Sequence, residues 1–395
     1  MKCQLLSLLC ALWCALPSYA EAPEVSMLIC GPGSNIYELE GHAGLLIDHP
    51  EYGQFVVNWG VFDFNSPNFV YRFVKGETDY MAAACSAESF LDAYRRQGRY
   101  VLKADLALDS VQAEKVTELV VDNLKPENRV YRYNYVYDNC ATRPVDIIEQ
   151  AVGDTLRLDL AMGYGAGMSS FRDVMRMHHA SYPWYQFGID TALGSGIDKP
   201  VTLREMRFAP TMLGGMLPLA FLPDGSPLVK HVEYVVGDVQ DNPVLPPTPW
   251  YLTPLFWGWM VAGVALWTCM LQLGGEPAFG RWFDTVYFSL MGLEGLVLTF
   301  LIFISTHEAT SPNWLYLWLN PLCFIGAAAP WLKRGKRLEI CYQSVNFALL
   351  IGLTVIFLLG IQSPNPSFWP LVLASALRAL TNIYSSCRKN VRTAR

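Results

Sequence analysis

From Trp250 to the C-terminus the chain is a succession of long apolar runs separated by short polar loops. No other feature constrains the fold as much. A backbone inside a bilayer has to satisfy its own hydrogen bonds, so it crosses as a helix or a closed barrel. Five runs have the roughly 17–25 residues that a helical crossing needs: Trp250–Leu273, Trp282–Ser305, Trp314–Leu332, Ile340–Ile361 and Phe368–Ser386. Trp250, Trp282, Trp314 and Trp369 stand near their ends, where indoles anchor to the interface. Loop charge sets the orientation. With the preceding segment exported, the inward segments Gly274–Arg281, Lys333–Glu339 and Cys387–Arg395 hold all the loop Lys and Arg, whereas the outward loops Thr306–Asn313 and Gln362–Ser367 have none. This is the positive-inside pattern, with a cytoplasmic C-terminus. Four crossings would put the basic tail outside, so five are expected.

Glu294 and Arg378 lie deep in these runs. At about 1.5 Å per residue they are roughly 18 Å and 15 Å from opposite faces of a core about 30 Å thick. They are therefore expected to pair, or to line a polar cavity, because a lone charge at that depth is costly. A pair that only fixes helix packing explains them equally well. His307 and Glu308 follow at the outward end of the second run, near an exported domain; an ordinary solvated loop is the alternative.

Residues 1–20 read as a secretory signal, with Lys2, an apolar stretch Leu5–Leu16 and the small-x-small site Ser18-Tyr19-Ala20. The chain thus divides into a signal (1–20), an exported domain (21–249) and a membrane domain (250–395). The exported part keeps Cys30, Cys85 and Cys140, an odd number in an oxidising compartment, so at least one lacks a partner within the domain. A Cys30–Cys85 bridge with Cys140 free is one arrangement. The net charge of −6 gives no reason to expect nucleic-acid binding.

Within 21–249 the sequence predicts strands over Ser26–Cys30, Glu40–Asp48 and Tyr100–Leu108, and a bent strand or strand pair over Gln54–Phe64. Helices are predicted over Ser86–Gly98, Ser110–Leu124 and Ser169–Ala180, with Phe69–Asp79 mixed and Gly163–Gly167 a loop. Asp241–Pro249 reads as a stiff linker. Tyr133, Tyr135 and Tyr137 alternate as in a strand, Asp138-Asn139 are turn and N-cap residues, and Cys140 precedes a helical pattern ending at Gly153. A cysteine at a helix start meets free amides and the helix dipole, which favour the thiolate. Taken alone, Cys140 fits a buried structural thiol equally well.

His42, among small residues on its strand, supplies the base of a cysteine–histidine pair. Asn58 is the first choice to orient the imidazole, as an Asn does in papain-like enzymes, and Glu40, expected on the same face as His42, is the second. His42, His49, His178 and His179 have no zinc spacing, and no phosphate loop or serine elbow is present, so no metal or cofactor is expected.

Several segments resemble the Lnb family of bacterial lipoprotein N-acyltransferases: Gly41–Ile47 (GHAGLLI), Asn58–Tyr80, Tyr94–Val101, Lys125–Ile148 around Asn139-Cys140-Ala141-Thr142-Arg143, and Ser305–Leu322 in the membrane part. The resemblance covers roughly Met27–Gly153 and Phe283–Pro321 and leaves Met168–Pro249 unmatched. It implies an α+β class: a circularly permuted papain-like, NlpC-like exported domain followed by an all-α bundle of five transmembrane helices in a bacterial inner membrane. It also implies that Cys140, with His42 as base, takes an acyl chain from a phospholipid and passes it to the α-amine of a diacylated lipoprotein. Two other classes stay open: a membrane-anchored cell-wall amidase using the same pair, and a binding protein without activity.

Overall fold

The computed structural model describes residues 22–158, 170–241, 246–332 and 335–393. The expected signal peptide, the Gly163–Gly167 loop and residues 242–245 of the linker lie outside them.

The exported part is built from strands β1 (Glu24–Cys30), β2 (His42–His49), β3 (Gly53–Val61), β4 (Asp79–Ser86), β5 (Val101–Leu106), β6 (Val130–Arg132), β7 (Arg157–Leu158), β8 (Ala220–Phe221) and β9 (Val229–Val236). Its helices are α1 (Phe69–Lys75), α2 (Ala87–Gln97), α3 (Ser110–Asn123), α4 (Thr142–Val152), α5 (Phe171–His179), α6 (Pro183–Ala192), α7 (Leu203–Met206) and α8 (Pro210–Met216). Seven strands form one antiparallel sheet in the order β6-β4-β3-β2-β1-β5-β9. Alternation along β1 sends Met27 and Ile29 to one face and Leu28 and Cys30 to the other. The first face packs on α3, α4 and α8 through Val116, Ile148 and Leu213, and the second on α2 through Phe90 and Tyr94. This is a mixed α and β domain.

Three expectations need correction here. The Tyr133–Tyr137 stretch is a turn, because the Asn134 side-chain oxygen accepts from the Val136 and Tyr137 amides at 3.1 Å and competes with any ladder. Glu40 lies in the turn before β2, not on the strand. Cys30 and Cys85 are both unpaired, with β2 and β3 lying between their strands.

The membrane part has α9 (Pro254–Gly274), α10 (Pro277–Phe303), α11 (Cys323–Ala328), α12 (Lys336–Leu358) and α13 (Phe368–Thr393). Among the described residues, α9, α10 and α12 are long and apolar enough to cross a membrane. The run Trp314–Leu332 is no continuous helix: 3-10 turns at Trp314–Leu317 and Ala329–Trp331 flank α11. Pro321 and Pro330 remove donors, and the Asn320 side chain accepts from the Leu322 amide at 3.1 Å. Irregular backbone at this level is tolerated where protein covers it, and Leu315, Trp318, Leu319 and Cys323 are all buried.

Arg378 does not pair with Glu294. Its guanidinium makes a two-point contact with Asp284 (2.6 and 2.7 Å) and reaches Gln272 at 2.8 Å, while Asn382 donates to Asp284 at 2.7 Å. Arg378 and Asp284 are both fully buried. Glu294 is ten residues further along α10, about 15 Å at helical rise, out of reach of this cluster.

The two parts meet along two seams. In the first, Ser305 donates to the Val74 carbonyl (2.9 Å), the Thr306 amide to that of Lys75 (2.8 Å), and His307 Nε2 lies 2.8 Å from that of Phe73. In the second, Arg176 donates to Ser363 (2.7 Å), Asn365 to Asp190 (2.9 Å), Asn313 to the Thr191 carbonyl (2.9 Å) and the Gly194 amide to that of Ala309 (2.8 Å). Buried Arg172 holds this second seam from behind by pairing with Asp190 and Asp198. The segment from α5 to Asp198 therefore fastens the sheet domain to the helices.

Candidate active site

Cys140 sits one residue before the N-cap of α4. Asn139 fixes that turn. Its side-chain oxygen accepts from the Ala141 (2.8 Å) and Thr142 (3.0 Å) amides, while Thr142 Oγ1 accepts from the Asn139 amide at 2.8 Å. The Asn139 side-chain nitrogen donates to the Tyr135 (2.7 Å) and Phe208 (2.8 Å) carbonyls. All four groups of this buried residue are thus satisfied, which leaves the turn one geometry. The Phe208 contact ties the turn to the segment that grips the membrane part.

The Cys140 sulfur accepts a hydrogen bond from the Ala43 amide, the peptide N–H directly after His42, and a second from the Tyr133 hydroxyl. β2 and β3 pair only as far as Gly44–Asn58, and the β3–β4 register shifts between Asn58 and Val61, which leaves the Ala43 amide free to face the sulfur. Gly60 is required by its φ of +86°, since a Cβ there would be in ordinary contact with the Tyr133 ring (3.4 Å) and the Cys140 Cβ (3.8 Å). Gly41 combines φ +85° with a close approach, because a Cβ there would lie only 2.4 Å from the Cys30 carbonyl oxygen.

His42 Nε2 lies 3.0 Å from Asn58 Oδ1, and the Asn58 amide nitrogen points at Cys85 Sγ (3.7 Å). That orientation makes Nε2 the protonated nitrogen and leaves Nδ1 with its lone pair. Burial lowers the His42 pKa to about 4 against the Asn58 bond, which raises it. Burial likewise pushes the Cys140 thiol up to about 11, outweighing the amide contacts that lower it. At rest the thiol and the imidazole are both neutral. The helix start does not dominate, because Cys140 is only 9% exposed and desolvation disfavours the charged form more strongly.

Glu40 directs its carboxylate to groups other than His42. It accepts from the Tyr135 hydroxyl at 2.5 Å, lies 3.8 Å from His179 Nε2, and is raised to about 7 by burial. Its backbone carbonyl accepts from the Thr211 amide at 3.2 Å, and His178 Nε2 lies 2.5 Å from Thr211 Oγ1. These residues buttress the turn that delivers His42. His307 is spent on the α1 carbonyl, as above. Glu308 is exposed, and its charge reaches the Tyr137 hydroxyl, three residues before Cys140. Glu294 and Arg378 lie within the helices, away from this turn. Sequence reasoning passed over the Tyr133 hydroxyl because the ring was counted as a strand residue, and over Gly60 because its positive φ has no sequence signal beyond being glycine.

Two family models match the chain. The Lnb N-terminal periplasmic domain matches residues 17–176, and the Lnb transmembrane domain matches residues 247–390. No curated protein and no solved structure matches it.

Proposed function

The chain belongs to the Lnb family, as a membrane protein with a periplasmic N-terminal domain and a transmembrane domain, and from that premise we propose that it is a lipoprotein N-acyltransferase with Cys140 as nucleophile. One observation carries the reading: the Cys140 sulfur is hydrogen-bonded to the amide following His42, while His42 Nε2 is held by Asn58 at 3.0 Å.

In the first half-reaction His42 Nδ1 takes the thiol proton as sulfur attacks the acyl ester of a phospholipid. The C–S bond forms, the ester C–O bond breaks, and the imidazolium returns the proton to the departing lysophospholipid. In the second half-reaction the α-amine of a diacylglyceryl-cysteine lipoprotein attacks the thioester. The N–C bond forms, the C–S bond breaks, and His42 carries the amine proton to the sulfur. The Ala43 and Cys140 amides, which both point at the sulfur, are the donors nearest the tetrahedral oxyanion. No cofactor is required. Both substrates are held by the bilayer, so the helices and the two seams replace diffusion with positioning. The same reading puts the sheet domain in the periplasm, the chain in a bacterial inner membrane and the C-terminus in the cytoplasm, with the broken run Trp314–Leu332 as a third of five passages.

The test is the mass of lipoprotein N-terminal peptides from cells with no other N-acylating enzyme. Triacylated peptides are expected with the wild-type chain and diacylated ones with Cys140→Ser. Triacylated peptides in both would refute the proposal. Diacylated peptides in both, with altered muropeptides only in the wild type, would point to a cell-wall amidase.

A further inference from the structure

An unbroken line of aromatic rings runs from the outward end of α10 to the candidate nucleophile. Tyr71 on α1 meets Phe300 of α10 (6.0 Å between centroids), and Phe73 meets His307 (6.2 Å). From Phe73 the line continues to Phe69 (6.1 Å), Phe62 (5.6 Å), Tyr80 (5.0 Å) and Tyr133 (4.4 Å), whose hydroxyl holds the Cys140 sulfur. Tyr37 and Phe64 widen it, packing on Phe62 at 6.1 and 4.6 Å.

The outer half of this line is bare. Tyr37 and Phe64 are 59% exposed, Val70 73% and Phe73 49%. A soluble surface seldom leaves such a contiguous apolar patch open. Two facts say what covers it. Its outer end is hydrogen-bonded to the loop that ends α10, so it stands at the level where the apolar helices leave the bilayer. Its inner end is the thiol. The four ring-to-ring steps together exceed the roughly 15 Å depth of one leaflet, half of a core about 30 Å thick.

We propose that Tyr37, Phe62, Phe64, Phe69 and Phe73 form the binding track for a phospholipid acyl chain, leading it from the outer leaflet to Cys140. This rests on the acyl-transfer reading and assigns that reaction its donor site. Apart from the Tyr37 hydroxyl, the rings give an apolar surface with no hydrogen-bond demand, so the track selects for a long aliphatic chain and leaves the headgroup in water.

The experiment uses the full chain in phosphatidylglycerol vesicles in which part of the lipid carries a diazirine at the acyl terminus. After irradiation, labelled peptides are mapped, and thioester formation at Cys140 is measured in parallel. Label is expected on Tyr37 and on Phe62–Phe73. Phe64→Asp and Phe69→Asp are expected to raise the KM for that lipid at least ten-fold, while Tyr52→Asp, an equally exposed aromatic remote from the line, leaves it unchanged. Label confined to α9–α13 with normal thioester formation overturns the track and spares the acyl-transfer reading. Label on Val70, Tyr71 and Phe73 but not on Phe62–Phe64 makes α1 a simple interfacial anchor and also overturns it. A wild-type chain that forms no thioester overturns both.

Discussion

Alkylation of Cys140 across pH separates two kinds of thiol site. If the helix start and His42 stabilised a thiolate, the sulfur would react at neutral pH. Burial instead raises its pKa to about 11. At pH 7 the thiolate fraction is then about one in ten thousand, against roughly 3% for an ordinary thiol with pKa near 8.5, so the rate is about 300-fold lower from ionisation alone. The assay is iodoacetamide labelling of the full chain in lipid nanodiscs, read by peptide mass, with the exposed Cys341 and Cys387 as internal references. Restricted access lowers every point equally, so the shape decides. The Cys140 rate should climb about ten-fold per pH unit from 6 to 10 without levelling. Tyr133→Phe removes a hydrogen bond that lowers the pKa and should shift the curve further to alkaline pH. A plateau at or below pH 7 would refute the neutral-pair account.

Asn58→Ala removes the acceptor that fixes the His42 ring; a bond worth about 1 kcal/mol predicts a drop in acylation rate of about five- to ten-fold with KM little changed. Glu40 has a raised pKa, so its contribution to stability is full below pH 4.5 and lost as pH rises through about 7. Glu40→Gln should therefore gain on the wild type between pH 5 and pH 8, by up to ~3 kcal/mol, in thermal unfolding at the two pH values. Arg378→Gln strands buried Asp284 and should cost about 3–5 kcal/mol, recovered in part by adding Asp284→Asn, whereas Glu294→Gln should change the melting temperature little.

The elements with local signals were legible. Ser86 and Gly98 bracket α2 as cap residues, and Gly153 ends α4 with φ +81°. The setting of Cys140 just before a helix followed from Asn139, whose side chain caps the turn. Long-range pairing was not legible. β9 lies between Ala180 and Asp241, where the sequence predicts no element, and it completes the sheet edge beside β5. Glu40 was put on the strand because alternation was extended through Gly41, whose positive φ ends it. Arg378 was matched to Glu294 by depth alone. Asp284 stands only two residues after Trp282, at the margin of an apolar run, and only the packing of α9, α10 and α13 brings it to the guanidinium.

The central claim is an acyl group on one sulfur. Purified full-length protein incubated with phospholipid carrying a labelled acyl chain should gain the mass of that chain on the Cys140 peptide. Hydroxylamine should remove the label, Cys140→Ser should never acquire it by this route, and a diacylated lipopeptide with a free α-amine should discharge it as an amide. A labelled lipid that leaves Cys140 unmodified in the active protein, or an acyl group found on another residue, would contradict the account.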